Sequence, residues 1–127
     1  MSSPLRILMI EDDFYDAELL AYALKSDGLP HQLRRVATAP DLHTALSEYK
    51  PQVIICDFSL PGFDGFEALK ITNNLAPNTP FFFSSGTIGR ERVQLALKHG
   101  ATGYSLKGDF ASLLAQIKDH LPGADAA

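Results

Sequence analysis

Apolar residues along the chain switch repeatedly between two spacings. Leu5–Ile10 is a short apolar run interrupted only by Arg6, as expected of a buried strand, and it stops at Glu11, Asp12 and Asp13. From Asp16 to Lys25 the apolar positions Ala17, Leu20, Ala21 and Leu24 fall at helical spacing, with Gly28 as the stop. Leu33–Ala37 predicts a second strand, weakened by Arg34 and Arg35. Thr38 and Pro40 open a second helix whose apolar face is Leu42, Ala45, Leu46 and Tyr49. Val53–Cys56 is a clean apolar strand that runs into Asp57. The segment from Leu60 to Gly65 has turn chemistry, and Asp64 with Glu67 has the spacing of a capping box for a third helix. Phe81–Phe83 predicts a fourth strand and Glu91–His99 a fourth helix. Gly103–Leu106 predicts a fifth strand, ending at Lys107, and Phe110–Leu121 a fifth helix.

Five strands alternating with five helices predict an α/β fold: a doubly wound parallel sheet with right-handed crossovers and helices on both faces. The 127 residues suit a single domain, with a core of about residues 5–121 and residues 122–127 as a tail or the start of a linker. Apolar residues make up 46% and charged ones 20%, the profile of a globular protein. Fifteen acids against eleven Lys and Arg argue against general binding to nucleic acid or to an anionic membrane. The apolar runs are too short to span a bilayer, no leader pattern opens the chain, and a lone Cys56 fits a reducing compartment; a cytoplasmic location is expected.

In such sheets the site lies outside the carboxyl ends of the strands. Glu11 and Asp12 follow strand one and Asp57 follows strand three; Ser85 follows strand four and Lys107 strand five. Two carboxylates about 5 Å apart repel by roughly 3 kcal/mol at an effective dielectric of 20, so a converging set calls for a proton or a cation. Oxygen ligands on a rigid rim suit Mg²⁺ or Mn²⁺. Asp57 as nucleophile, the cation and Lys107 as positive charge, and the Ser85 hydroxyl as a donor are the parts that phosphoryl transfer requires.

With these residues in place, the chain resembles the receiver domain of two-component response regulators. The resemblance rests on Ile10–Asp13, on Cys56–Gly65, on Ser85-Gly86 and on Tyr104-Ser105-Leu106-Lys107. It implies a flavodoxin-like fold with strand order 2-1-3-4-5. It implies that Asp57 accepts a phosphoryl group from a phosphohistidine on a sensor histidine kinase or a histidine phosphotransfer protein. Asp12 would ligate Mg²⁺ directly, Glu11 through water, and the backbone carbonyl of Ser59 would add a ligand. Ser85 and Tyr104 match the family's switch pair and Lys107 its phosphate-binding lysine, while positions 59 and 87 frame the approach of hydrolytic water. The output would pass through helix four, strand five and helix five to an effector protein or domain, with no direct contact to nucleic acid or membrane. Such a domain is a signalling switch rather than an enzyme, since it catalyses only its own phosphorylation and dephosphorylation.

Three features depart from the family pattern. Gly108 stands where a proline in a cis peptide is usual, and a cis bond before Gly would cost about 3 kcal/mol, so a trans link and a displaced Lys107 are expected. Gly86 replaces a small Ala. The run from Ser85 to Gly89 is similar to receivers found inside larger sensory proteins. Among bland readings, Asp13 is assigned to capping, Asp64 and Glu67 likewise, Cys56 to the core, and the four histidines to surface or structural roles. Three acids after strand one would repel a flavin phosphate, and Ser59 stands where a haloacid-dehalogenase-type phosphatase needs its second Asp. A receiver-like interaction module that is never phosphorylated is the remaining alternative.

Overall fold

The computed structural model describes residues 4–58, 60, 62, 64–86 and 89–121. The elements alternate as β1 (Leu5–Ile10), α1 (Phe14–Asp27), β2 (His31–Val36), α2 (Ala39–Glu48), β3 (Val53–Cys56), α3 (Gly65–Leu75), β4 (Phe81–Ser85), α4 (Arg90–Lys98), β5 (Gly103–Leu106) and α5 (Phe110–Asp119). All four strand pairings are parallel, in the order β2-β1-β3-β4-β5.

Period-two alternation splits the core into two layers. Leu8 and Ile10 of β1, Ile54 and Cys56 of β3, and Phe81 and Phe83 of β4 pack with α2, α3 and α4. Ile7 and Met9, Val53 and Ile55, and Phe82 face the other way, onto Ala17, Leu20 and Leu24 of α1 and Leu113, Leu114 and Ile117 of α5. A strand covered on both faces has no polar side, which is why β1, β3 and β4 read as nearly continuous apolar runs. Strand β2 lies at the sheet edge, where Arg34 and Arg35 are both exposed, which accounts for two charges in a strand.

The boundaries differ from the periodicity at five elements, of which α4 is shifted by one residue, Arg90–Lys98 rather than Glu91–His99, with His99 as its C-cap. Helix α1 starts at Phe14 rather than Asp16, because the Asp13 carboxylate accepts from the Tyr15 N–H and caps it there. Strand β2 spans His31–Val36 rather than Leu33–Ala37, since pairing with β1 runs from Leu5↔His31 to Ile10↔Val36. Strand β4 continues through Ser84 and Ser85, paired with Ser105 and Leu106 of β5. Helix α5 ends at Asp119, with His120 as its C-cap, rather than at Leu121.

Close packing reaches the site through Gly65. A Cβ there would meet the Phe83 ring at 2.6 Å and the Phe58 backbone at 3.2 Å, so only glycine lets α3 begin this close to the residue after Asp57.

Candidate functional site

Ladder hydrogen bonds carry on past the strand ends and fix the backbone of the site. The Glu11 N–H donates to the Val36 carbonyl, Asp57 to Ile10, and Lys107 to Ser85, each at 2.9 Å. The structure brings Glu11, Asp12 and Asp57 together: one carboxylate oxygen from each lies within 4.8 Å of the others. Glu11 is 1% exposed and Asp57 9%, whereas Asp12 is open to solvent.

Glu11 is held from three sides. Its Oε2 accepts from the Asp13 N–H at 3.1 Å, and its carbonyl accepts from Arg35 Nη1 at 3.0 Å. Its Oε1 is buried and 2.9 Å from Lys107 Nζ, an ion pair without hydrogen-bond geometry, which leaves acceptor capacity at the cluster. Lys107 Nζ also lies 3.2 Å from Asp57 Oδ2 and 2.7 Å from Asp16 Oδ2. The Lys107–Gly108 peptide is trans, as the missing proline predicts, and Gly108 adopts φ 91°, a left-handed conformation that favours glycine. The lysine still reaches Asp57, but it is shared.

Burial works to lower the Lys107 pKa; the carboxylates of Asp16, Glu11 and Asp57 more than offset it and hold the ammonium above its ordinary value. Burial raises the Glu11 pKa above its usual 4.5, aided by the Asp57 charge and opposed by Lys107 and the Asp13 N–H. Between 4.5 and that raised value the folded state binds more protons than the unfolded one, so stability falls as pH rises through the window. Urea midpoints of the wild type and Glu11→Gln, compared from about pH 4 to about pH 7, should therefore diverge, with the wild type losing ground as pH rises. A difference between the two that stays constant across this range would refute the burial penalty.

Ser85 is buried on the strand face shared with Phe81 and Phe83, and Tyr104 packs at the edge of the same core layer. The Tyr104 hydroxyl lies 3.5 Å from the Ser85 carbonyl, to which it donates. Ser84 points to the opposite side and lines a cavity of about 250 Å³ together with Met9, Asp16, Lys107 and Phe110. Ser59 and Thr87 lie outside the described residues.

The capping assignments of Asp64 and Asp13 and the core assignment of Cys56 agree with the geometry. Asp64 caps α3 through the Glu67 N–H, and Asp13 caps α1. Cys56 is fully buried, and burial followed by the Asp57 charge pushes its thiol pKa well up. Among the described residues, the acidic trio is the one group with metal-ligand spacing, and it contains no histidine. Its donor set of carboxylates around a buried oxygen with spare acceptor capacity fits a hard divalent cation. Two contributors escaped the sequence: Asp16, which in a first helical turn reads as a favourable charge for the helix dipole, and Arg35, which reads as an edge-strand charge.

Residues 7–118 match the model of the response regulator receiver domain, and the chain belongs to that family. The DNA-binding response regulator MtrA of Mycobacterium tuberculosis is 26% identical over 102 residues, which cover 80% of this chain and 43% of MtrA. An uncharacterized transcriptional regulatory protein of Bacillus subtilis, YvcP, is 29% identical over 102 residues, covering 80% of this chain and 42% of its own length. The chain thus spans less than half the length of these relatives. The crystal structure of a CheY-like response regulator receiver domain protein from Methanospirillum hungatei superposes with a TM-score of 0.83 at 25% identity, covering 98% of each chain. Among the described residues, no helix is long and apolar enough to cross a membrane.

Proposed function

We propose that this single domain is a cytoplasmic phosphoacceptor switch, with Asp57 as the acceptor. The observation that carries this reading is Asp57 Oδ2 at 3.2 Å from the Lys107 ammonium, inside the cluster it forms with Glu11 and Asp12. A carboxylate oxygen of Asp57 attacks phosphorus, the P–N bond of the donor phosphohistidine breaks, and the imidazole leaves with its electron pair. The donor is a sensor histidine kinase or a histidine phosphotransfer protein. Glu11, Asp12 and Asp57 would hold Mg²⁺ or Mn²⁺, and likeness to the family would add the Ser59 carbonyl as a further ligand. When bound, the cation supplies positive charge to the phosphoryl oxygens. Lys107 takes up a further oxygen, and the trans peptide to Gly108 leaves it within reach.

The test is intact mass after incubation with Mg²⁺ and acetyl phosphate or phosphoramidate. The mass should rise by one phosphoryl group; a mass that never rises refutes the reading and leaves an interaction module that works without phosphate.

The phosphoryl group then draws in the Ser85 hydroxyl, and Tyr104 rotates into the space released, altering the surface of α4, β5 and α5 that an effector protein or domain reads. A charge-assisted hydrogen bond of about 1.5–3 kcal/mol shifts a two-state ratio roughly 10- to 150-fold. Beryllofluoride should therefore perturb amide NMR signals across Ser85–Lys107 well beyond the pocket. Ser85→Ala should still accept phosphate and lose most of that distal response. If Ser84→Ala loses the response instead, the hydroxyl is supplied from the other face of β4.

A further inference from the structure

We infer that Asp16 is a positioning residue that holds Lys107 back from Asp57 and so balances two competing demands on the site: cation binding before phosphorylation and phosphoryl binding after it. The inference rests on the phosphoacceptor reading and goes beyond it, because it assigns a role to a residue outside the acidic trio. Three carboxylates surround the ammonium: Asp16 at 2.7 Å and Glu11 at 2.9 Å as ion pairs, and Asp57 at 3.2 Å as a hydrogen bond. Asp16 makes the shortest contact and Asp57 the longest. The acceptor's partner is therefore drawn toward α1.

The local structure permits the lysine to be shared in this way. The Lys107 backbone is anchored by its N–H to the Ser85 carbonyl, so what can change is the side chain. Asp16 and Lys107 both line the cavity of about 250 Å³ between α1 and α5, which gives that side chain room to shift. Asp16 sits in the first turn of α1, whose start is fixed by the Asp13 cap, so its carboxylate is presented from a rigid element.

Two opposite consequences follow from the charges. While Asp16 neutralises part of the ammonium, Lys107 competes less with a cation for Glu11 and Asp57. Once Asp57 carries a phosphoryl group, Asp16 competes with its oxygens for the same ammonium. Removing the Asp16 charge should therefore weaken Mg²⁺ binding and strengthen binding of a phosphoryl mimic. For a partly exposed ion pair each change should be roughly three- to fivefold.

The experiment compares wild type, Asp16→Asn and Asp16→Glu in two titrations. Mg²⁺ alone is titrated by calorimetry, and beryllofluoride by NMR at saturating Mg²⁺. Asp16→Asn should raise the Kd for Mg²⁺ and lower that for beryllofluoride, and Asp16→Glu should restore both toward wild type. A general loss of structure would weaken both ligands together, and that outcome, or no change in either, overturns the inference. A wild type that takes up Mg²⁺ but neither beryllofluoride nor a phosphoryl group refutes the phosphoacceptor reading. The Mg²⁺ comparison still reads the Asp16–Lys107 coupling in that case, and an unchanged Mg²⁺ Kd in Asp16→Asn overturns it independently.

Discussion

Asp57→Asn is expected to abolish the phosphoryl adduct completely while leaving the fold intact. The amide is nearly isosteric with the carboxylate but is not a nucleophile toward phosphorus. The backbone bond from Asp57 N–H to the Ile10 carbonyl is untouched by the change, so the strand end stays in register. The substitution also removes one of three converging negative charges, which relieves repulsion with Glu11 and Asp12 and gives up the Lys107 contact. Intact mass with Mg²⁺ and acetyl phosphate, read alongside a thermal midpoint, checks both halves. An adduct that persists in folded Asp57→Asn would place the acceptor elsewhere. The companion Asp12→Asn keeps the nucleophile and loses the exposed member of the trio. Its phosphorylation should slow by at least about a hundredfold and should no longer depend on Mg²⁺.

Phe83→Ala should cost about 3–5 kcal/mol, a large share of the roughly 5–15 kcal/mol that a domain of this size has in total. Phe83 is fully buried in β4, between Cys56 of β3 and Tyr104 of β5. Its ring packs 4.8 Å from that of Phe58, 5.1 Å from Phe81 and 6.4 Å from Phe66. These partners belong to three different segments, so they cannot all relax into one cavity. The urea midpoint should fall by more than about 1 M with the slope unchanged. Phe58 directly follows Asp57, so the same loss should loosen the acceptor's support and slow phosphorylation in whatever fraction remains folded. A cost under about 1.5 kcal/mol would mean that the layer collapses to fill the gap.

Much of the fold was legible in the chain because burial on both faces writes itself as apolar runs, and β1, β3 and β5 have the limits that their residues predict. Strand β4 was underestimated because Ser84 and Ser85 are polar yet buried, one lining a cavity and the other beside Tyr104, a placement that no local pattern marks. The trio of Glu11, Asp12 and Asp57 was legible for a topological reason. Residues at the carboxyl ends of neighbouring parallel strands must converge, whatever the details of packing. The trans link at Lys107 was equally a local matter, set by Gly108 in place of proline.

How the lysine divides itself was not local. Lys107 directly follows β5 and Asp16 lies in α1, ninety-one positions apart, and only the packing of α1 and α5 on one sheet face brings them to 2.7 Å. Arg35 reaches the Glu11 carbonyl because β2 pairs with β1 in one register rather than another. The sequence by itself thus determined which chemical groups stand at the strand ends, because alternation and turn residues act over a few positions. The tertiary structure alone decided which carboxylate holds the ammonium most closely and which carboxyl oxygen is buried, because charge interactions depend on distance and desolvation between segments remote in the chain.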